Sequence, residues 1–587
     1  MTILINRLIF ISILLWGWAH SQDRSISADR ILEHIKYLSS DKLKGREPGT
    51  PGSKMAGRYI EKEWRKNGLV PAGTRGFKQP FQFTGGVYLS GYNRLKINET
   101  RKTFRVKNDF IPLGFSKTGS FDMPVVFAGY GFGTEDSVAW NDYSDIDVSG
   151  KWVLVFRGSP DGSGPHSAFA DHMSIRKKYN VAKENGAGGV LLVNPYEDDD
   201  LDGFIELRLG PSSAEGDIPI IHISQEIGDQ LFDEPGKARL LQSVLDGERR
   251  SVSRSTDRSI SATIGLKAKK VKGSNIVGLL EGVGKSDELI IVGAHMDHLG
   301  RGGRKSGSLS TESDLIHNGA DDNASGTAGL IELARYFSNN KLNNDILFIA
   351  FDAEEKGLLG SKYYVKNPSI DLENVRLMIN LDMIGRMEDS SATVSGTGTS
   401  PLFEPLLDSL RSFHNLSLSY NKAGFGPSDH SSFYAKDIPV LFFFTGIHED
   451  YHKPSDDWDK INESGIKMIL DLITETVIHV DRLDTKPQFT EAGPKERMGG
   501  RRSFKVTFGI IPSYVGGGKG LKLDGVQPDG PADNAGILKG DIIIEIEGKE
   551  IKDIYDYMHR LGTLKKGQEV SVKIMREEES ISLIVRL

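Results

Sequence analysis

Four short polar groups follow apolar runs in this chain, and between them they hold the side chain types that bind and use a divalent cation. The run 289–294 ends in His295-Met296-Asp297, 346–351 leads to Asp352-Ala353-Glu354-Glu355, 378–381 ends in Asp382, and 440–444 is followed by Tyr451-His452. A fifth group, Gly319-Ala320-Asp321-Asp322-Asn323-Ala324-Ser325-Gly326, is a polar loop opening a helix-like stretch. Singly, a His after a strand is an ordinary loop residue and a Glu pair is solvated surface. Brought to one edge of one sheet, two His and several carboxylates would repel one another severely unless cations neutralised them. The chain has no Cys, which excludes disulfides, thiolate sites and cysteine nucleophiles, so any metal is held by nitrogen and oxygen. Such donors with open positions suit zinc, and on ligand chemistry alone manganese or cobalt as well.

For these groups to meet, the runs before them must be neighbours in one sheet. Residues 275–280, 289–292, 346–351, 377–381 and 440–444 are near-continuously apolar, as strands covered on both faces are. They alternate with helical stretches such as 325–337, which predicts a three-layer α/β/α domain with a mainly parallel central sheet. In open sheets of that kind ligands collect at the carboxyl ends of the strands, where the polar groups stand. Two N-terminal helices join this domain. Ser27 caps the first, with Ile31, Leu32, Ile35 and Leu38 on one face; the second carries Met55, Tyr59, Ile60 and Trp64 and stops at Gly68. Between them Lys44-Gly45-Arg46-Glu47-Pro48-Gly49 requires an ordered turn. A long helical stretch, 463–483, closes the domain.

The chain's 587 residues exceed one ordinary core, and at about 150 residues per domain three or four are expected. Lys+Arg 73 against Asp+Glu 80 leaves a net charge of −7, so there is no global basic field and nucleic-acid binding is not expected. Residues 1–21 read as a signal peptide: Arg7, an apolar run over 8–18, and Ala19-His20-Ser21 as a small-x-small cleavage site. That run is short of the roughly 20 residues a membrane span needs. The expectation is an exported protein, periplasmic or secreted, with no integral membrane segment in the mature chain. Residues 22–120 and 266–483 form the metal-bearing domain, 121–265 an inserted mixed β/α unit with Gly-punctuated strands, 484–502 a polar linker, and 503–587 a small β-rich domain. The acidic run 197–200 reads as a solvated loop, with calcium binding as the alternative.

In order and spacing, His295-x-Asp297, Gly-x-Asp-Asp322-Asn-x-x-Gly, Glu354-Glu355, Asn-Leu-Asp382-Met and Tyr-His452-x-x-x-Asp456 resemble the co-catalytic di-zinc exopeptidase family, which includes bacterial leucyl-type aminopeptidases and glutamate carboxypeptidase. The likeness covers about 29–120 and 274–483. The insert, through Ala128-Gly129-Tyr130-Gly131, Gly150-Lys151-Trp152-Val153 and Gly186-Ala187-Gly188-Gly189-Val190, is similar to a protease-associated domain. The C-terminal part, through Phe508-Gly509-Ile510-Ile511, Gly530-Pro531-Ala532 and Gly540-Asp541-Ile542-Ile543, resembles a PDZ domain. Such a domain takes a peptide or protein C-terminus as an added strand, intramolecular docking being the other use.

The resemblance implies two Zn2+ ions, with Asp322 bridging them, His295 and Asp382 completing one, and Glu355 and His452 the other. It implies a cis bond from Asp322 to Asn323. Asp297 is expected to hold the His295 ring, and Asp456 either to steady the His452 loop or to make an ordinary turn. Glu354 would be the general base towards a water shared by the ions, whose pKa zinc lowers to about 7. Tyr451 is the candidate donor to the oxyanion. The implied substrates are peptides. Residues 424–431 contain no Arg or Lys, and Arg386 is the single basic candidate close to a ligand, whereas a terminal carboxylate calls for Arg or Lys. An aminopeptidase is therefore preferred. The alternatives are a carboxypeptidase of the same family and a non-catalytic peptide-binding protein using the PDZ and protease-associated domains. Phe425, Phe433 and Phe443 are either pocket or core.

Overall fold

The computed structural model describes residues 25–587 apart from 135–138, 163–166, 171, 197–202, 206, 208–215, 285, 304–305, 311, 313, 496–505, 513–519 and 527–529. The signal segment 1–21 and the acidic run 197–200 lie outside the described residues. The chain divides into two compact units, with 1–82 and 271–496 in the first.

In the first unit, α1 (Ala28–Leu38) is capped by Ser27 accepting the N–H of Arg30, and it buries Ile31, Ile35 and Leu38. Helix α2 (Pro51–Lys66) begins with Thr50 as cap and Pro51 in its first turn, and buries Ile60 and Trp64. The sheet then builds from β1 (Leu266–Leu280), β2 (Leu289–His295), α3 (Gly326–Asn339), β3 (Asp345–Phe351), α4 (Leu359–Lys366) and β4 (Val375–Leu381). It is completed by β5 (Ser391–Ser395), α5 (Phe403–His414), β6 (Ser417–Asn421), α6 (His430–Tyr434), β7 (Val440–Phe444) and α7 (Glu463–Asp481).

The strand order is β1-β3-β2-β4-β7-β5-β6, and two further strands, Val70–Pro71 and Lys78–Leu89, pair with β1 to make nine. Its centre, β3-β2-β4-β7, is parallel throughout, and β1 and β5 join antiparallel. Alternation along the strands fills both faces. Ile290, Val292 and Ala294 pack with α1, α2, α3 and α7 residues such as Ile31, Trp64, Leu333 and Ile469. Leu289 and Ile291 pack on the other side with Tyr364, Phe433 and Tyr434. This is the three-layer α/β/α arrangement expected from the apolar runs. Because β2 sits between β3 and β4, the crossover from β2 to β3 runs one way along the sheet and that from β3 to β4 the other, which makes a switch point at the carboxyl end of β2.

The second sheet has the order Thr103–Phe104, Arg94–Ile97, Ser253–Ile264, Gly119–Ala128, Trp152–Phe156, Gly189–Val193, Ile220–Ile223 and Phe110–Pro112. Its centre is parallel and its flanks antiparallel, with helix Ile175–Glu184 between two central strands. The expected boundary at 120/121 therefore needs correction. Strand Arg94–Ile97 pairs with Ser253–Ile264 and Phe110–Pro112 with Ile220–Ile223, so the division falls at 82/83 and 270/271. The proposed linker 484–502 differs too. Thr490 N–H donates to the Thr399 carbonyl at 2.8 Å, Gly424 N–H to Ala492 at 2.9 Å, and Phe489 packs on the core, so this stretch lines the first unit as far as 493. The C-terminal sheet runs Ile510–Pro512, Leu521–Val526, Ile542–Ile546, Glu569–Arg576, Glu579–Arg586, all antiparallel, over a core that includes Phe508, Ile543, Val570 and Ile574.

Candidate metal centre

The parallel register sets His295 beside Phe351 and Gly293 beside Asn380, so the ends of β2, β3 and β4 deliver His295, Glu354, Glu355 and Asp382 to one edge. The turn before α3 adds Asp322, and the loop after β7 adds His452. His295 Nε2 lies 3.2 Å from Asp382 Oδ1 and 3.4 Å from Asp322 Oδ1. The other Asp322 oxygen, Oδ2, is 3.2 Å from His452 Nε2, which is 3.6 Å from Glu355 Oε2. One carboxylate thus faces a donor set on each side. The five residues named as ligands from the sequence converge, and the Asp322–Asn323 bond is cis.

Donors 2.0–2.2 Å from a tetrahedral ion stand about 3.4 Å apart, so these separations fit the edges of two such polyhedra sharing Asp322. His295, Asp322 and Asp382 form one group able to hold an ion, and His298, Asp322 and Glu355 a second. His298 was missed by sequence reasoning. Its Nδ1 is 2.8 Å from Glu355 Oε1 and 3.8 Å from Asp322 Oδ1, and its ring meets that of His452 edge-on at 5.8 Å. The only signal was its place one residue beyond His295-x-Asp297.

Asp321, the neighbour not chosen as a ligand, turns away: its Oδ1 accepts the Gly385 N–H at 2.6 Å and its Oδ2 is 3.2 Å from His448. The Asn323 side chain closes the motif, donating to the Leu381 carbonyl and accepting the Gly326 N–H, each at 2.9 Å. A Cβ on Gly326 would stand 2.4 Å from both Asn323 Oδ1 and the Leu381 carbonyl, which is why the loop ends in glycine.

The contacts of Asp297 and Asp456 go beyond the roles expected of them. Asp297 holds the His295 ring through its main-chain carbonyl, 3.2 Å from Nδ1, while its carboxylate is 3.9 Å away. That carboxylate instead accepts the N–H groups of Glu354 and Glu355, at 3.0 and 3.3 Å. Asp456 serves the Asp322 loop, accepting the N–H groups of Asp321 and Asp322 at 3.0 and 3.1 Å. Tyr451 stacks on the His452 ring at 3.8 Å. Phe433 and Phe443 are fully buried core, and Phe425 packs against that core. Arg386 donates to Asp450 at 2.9 Å and lies 3.6 Å from Asp456.

Burial works against the Asp322 carboxylate, but the imidazoles of His298, His452 and His295 outweigh it and hold its pKa below the ordinary range. Burial also opposes the His452 cation, yet Glu355 and Asp322 raise its pKa to about 9. Glu354 moves the other way. Burial, with the carboxylates of Glu355, Asp429 and Asp382 prevailing over His295, pushes it well above the usual value.

The edge of this parallel sheet therefore presents two donor groups that share Asp322, each able to hold a metal ion. Residues 275–477 match peptidase family M28, 117–231 match the PA domain and 508–587 the PDZ domain. The chain is 26% identical over 355 residues to Aminopeptidase YwaD of Bacillus subtilis, covering 58% of this chain and 65% of that protein. It is 24% identical over 374 residues to an Aminopeptidase of Pseudomonas aeruginosa, covering 63% and 59%. The chain thus spans less than two thirds of the length of either relative. Among solved structures, an aminopeptidase from Aneurinibacillus sp. strain AM-1 matches with 25% identity and a TM-score of 0.47, over 80% of this chain and 96% of the other.

Proposed function

We propose that this protein is an exported exopeptidase that removes N-terminal residues from peptides at a two-zinc centre held by His295, Asp382, Asp322, Glu355 and His452. The observation that carries the reading is the pair of Asp322 oxygens, one 3.4 Å from His295 and the other 3.2 Å from His452. When bound, zinc supplies Lewis-acid polarisation of the scissile carbonyl and brings the pKa of a water down to about 7.

The chain's own residues do the rest. Glu354 takes the proton of the attacking water and passes it to the leaving amine. Asp297 fixes where that carboxylate starts, through its hold on the Glu354 and Glu355 amides. Tyr451, stacked on His452, donates to the carbonyl oxygen as charge develops on it. Electrostatics favour the amine end of a peptide. Glu354, Asp382 and Asp429 put several carboxylates at one edge, while Arg386 is engaged by Asp450 and Arg46 donates to main-chain carbonyls. The PDZ domain would hold a peptide or protein C-terminus at its sheet edge. Export rests on the apolar run 8–18 and its flanks; among the described residues no helix is long and apolar enough to cross a membrane.

The test is hydrolysis of aminoacyl chromogenic substrates beside C-terminally reporting peptides, with and without chelator. Chelator-sensitive release from the amino end is expected. Release from the carboxyl end alone, or none at all, contradicts the proposal.

A further inference from the structure

The Gly- and Pro-rich turn 44–49 carries a cation that the mechanism above does not use. Arg46 is 1% exposed. Its Nε donates to the Met296 carbonyl at 2.9 Å, Nη1 to those of Leu38 and Asn318 at 2.6 Å each, and Nη2 to that of Gly319 at 2.9 Å. Met296 lies between His295 and Asp297, and Gly319 opens the loop that presents Asp322. One planar guanidinium therefore ties the segment after β2 to the loop before α3, with the end of α1 as anchor.

The turn is seated for this. Gly45 accepts the Gly300 N–H at 2.9 Å, and a Cβ there would stand 2.4 Å from the Gly300 carbonyl and 2.5 Å from that of His317. Each of the four guanidinium bonds ends on a main-chain carbonyl, which leaves the neighbouring carboxylates their lone pairs for other partners. A fixed cation this close repels a divalent ion, so charge alone would make Arg46 a handicap to metal binding. Fork geometry gives it a purpose that a lysine ammonium cannot reproduce.

We propose that Arg46 is a positioning residue whose fork sets the spacing between the His295–Asp297 segment and the Asp322 loop, so that one carboxylate serves both donor groups. The inference rests on the two-zinc reading.

Zinc affinity, by competition with a chromogenic chelator, is compared for wild type, Arg46→Lys and Arg46→Gln well below the melting transition. The melting of each metal-free protein and kcat and KM at saturating zinc are measured alongside. Both variants should bind zinc about 10–100-fold more weakly. Arg46→Gln does so although it removes a repelling charge, and kcat falls while KM changes little. Wild-type zinc affinity and kcat in a folded Arg46→Lys protein, or tighter binding by Arg46→Gln, overturn the proposal. Should neither variant fold, Gly45→Ala, which displaces the turn and keeps the guanidinium, takes their place with the same expectation; failure of all three to fold assigns Arg46 to stability and also overturns it. A wild-type protein that binds no zinc refutes the two-zinc reading instead, and that result is read before any variant is compared.

Discussion

Asp297 accepts the main-chain N–H of Glu354 at 3.0 Å, which couples the end of β2 to the end of β3. The second oxygen takes the Glu355 N–H at 3.3 Å, so one buried carboxylate sets the origin of both the proposed base and a proposed ligand. Burial raises the Asp297 pKa well above the ordinary value, with Asp352 and Glu355 adding to the rise and His295 opposing it.

Asp297→Asn keeps the shape and loses one of two acceptors, turning an NH2 towards a main-chain N–H. Turnover should fall about 10–100-fold, the usual cost of disturbing groups behind a metal site. Steady-state kinetics with zinc analysis of the same sample checks this; an unchanged kcat contradicts it.

Glu354→Gln removes the proton acceptor while leaving all five proposed ligands. Zinc content should equal that of wild type, with kcat lower by about 10²–10⁴, the range for a positioned general base. Elemental analysis beside kinetics decides, and near-normal turnover in the zinc-loaded variant rejects Glu354 as the base.

Gly326→Ala places a methyl group where 2.4 Å separates it from the Leu381 carbonyl, directly before Asp382. The expected outcome is reduced zinc occupancy together with a lower melting temperature. A variant with wild-type values of both would show that the loop yields without cost.

Much of the peptidase segment could be read from the chain because its information is local. Five apolar runs identify β1, β2, β3, β4 and β7, and four of them lead into the polar groups that meet at the edge of the sheet. What escaped depends on pairing between distant residues. Arg94–Ile97 and Phe110–Pro112 are too short to be recognised as strands until their partners near 260 and 222 are known. Arg46 and His298 act on segments far along the chain, at Gly319 and Glu355. For Asp297 and Asp456 the neighbourhood is legible but the N–H groups their carboxylates accept are not, because a carboxylate in a loop carries no record of which N–H groups will point at it.

His430 supplies a pH dependence outside the ligand set. It is fully buried, stacked on Phe442 at 4.5 Å, and burial lowers its pKa from 6.5 to about 3. The unfolded chain takes up this proton near the ordinary pKa and the folded one does not, so the stability contribution is complete above pH 6.5 and is lost as pH falls towards 3. His430→Phe should remove that slope, and wild type should lose about 2 kcal/mol more than the variant between pH 7 and pH 5. Urea unfolding at both pH values measures it, and parallel losses in the two proteins would contradict the assignment.

The central claim is that Asp322 lies between two ions. Anomalous diffraction at the zinc absorption edge, on crystals grown with zinc, tests it most directly. Two peaks are expected, one within coordination reach of His295, Asp382 and Asp322 and the other of Asp322, Glu355 and His452. A single peak, or none at this edge of the sheet, would contradict the account.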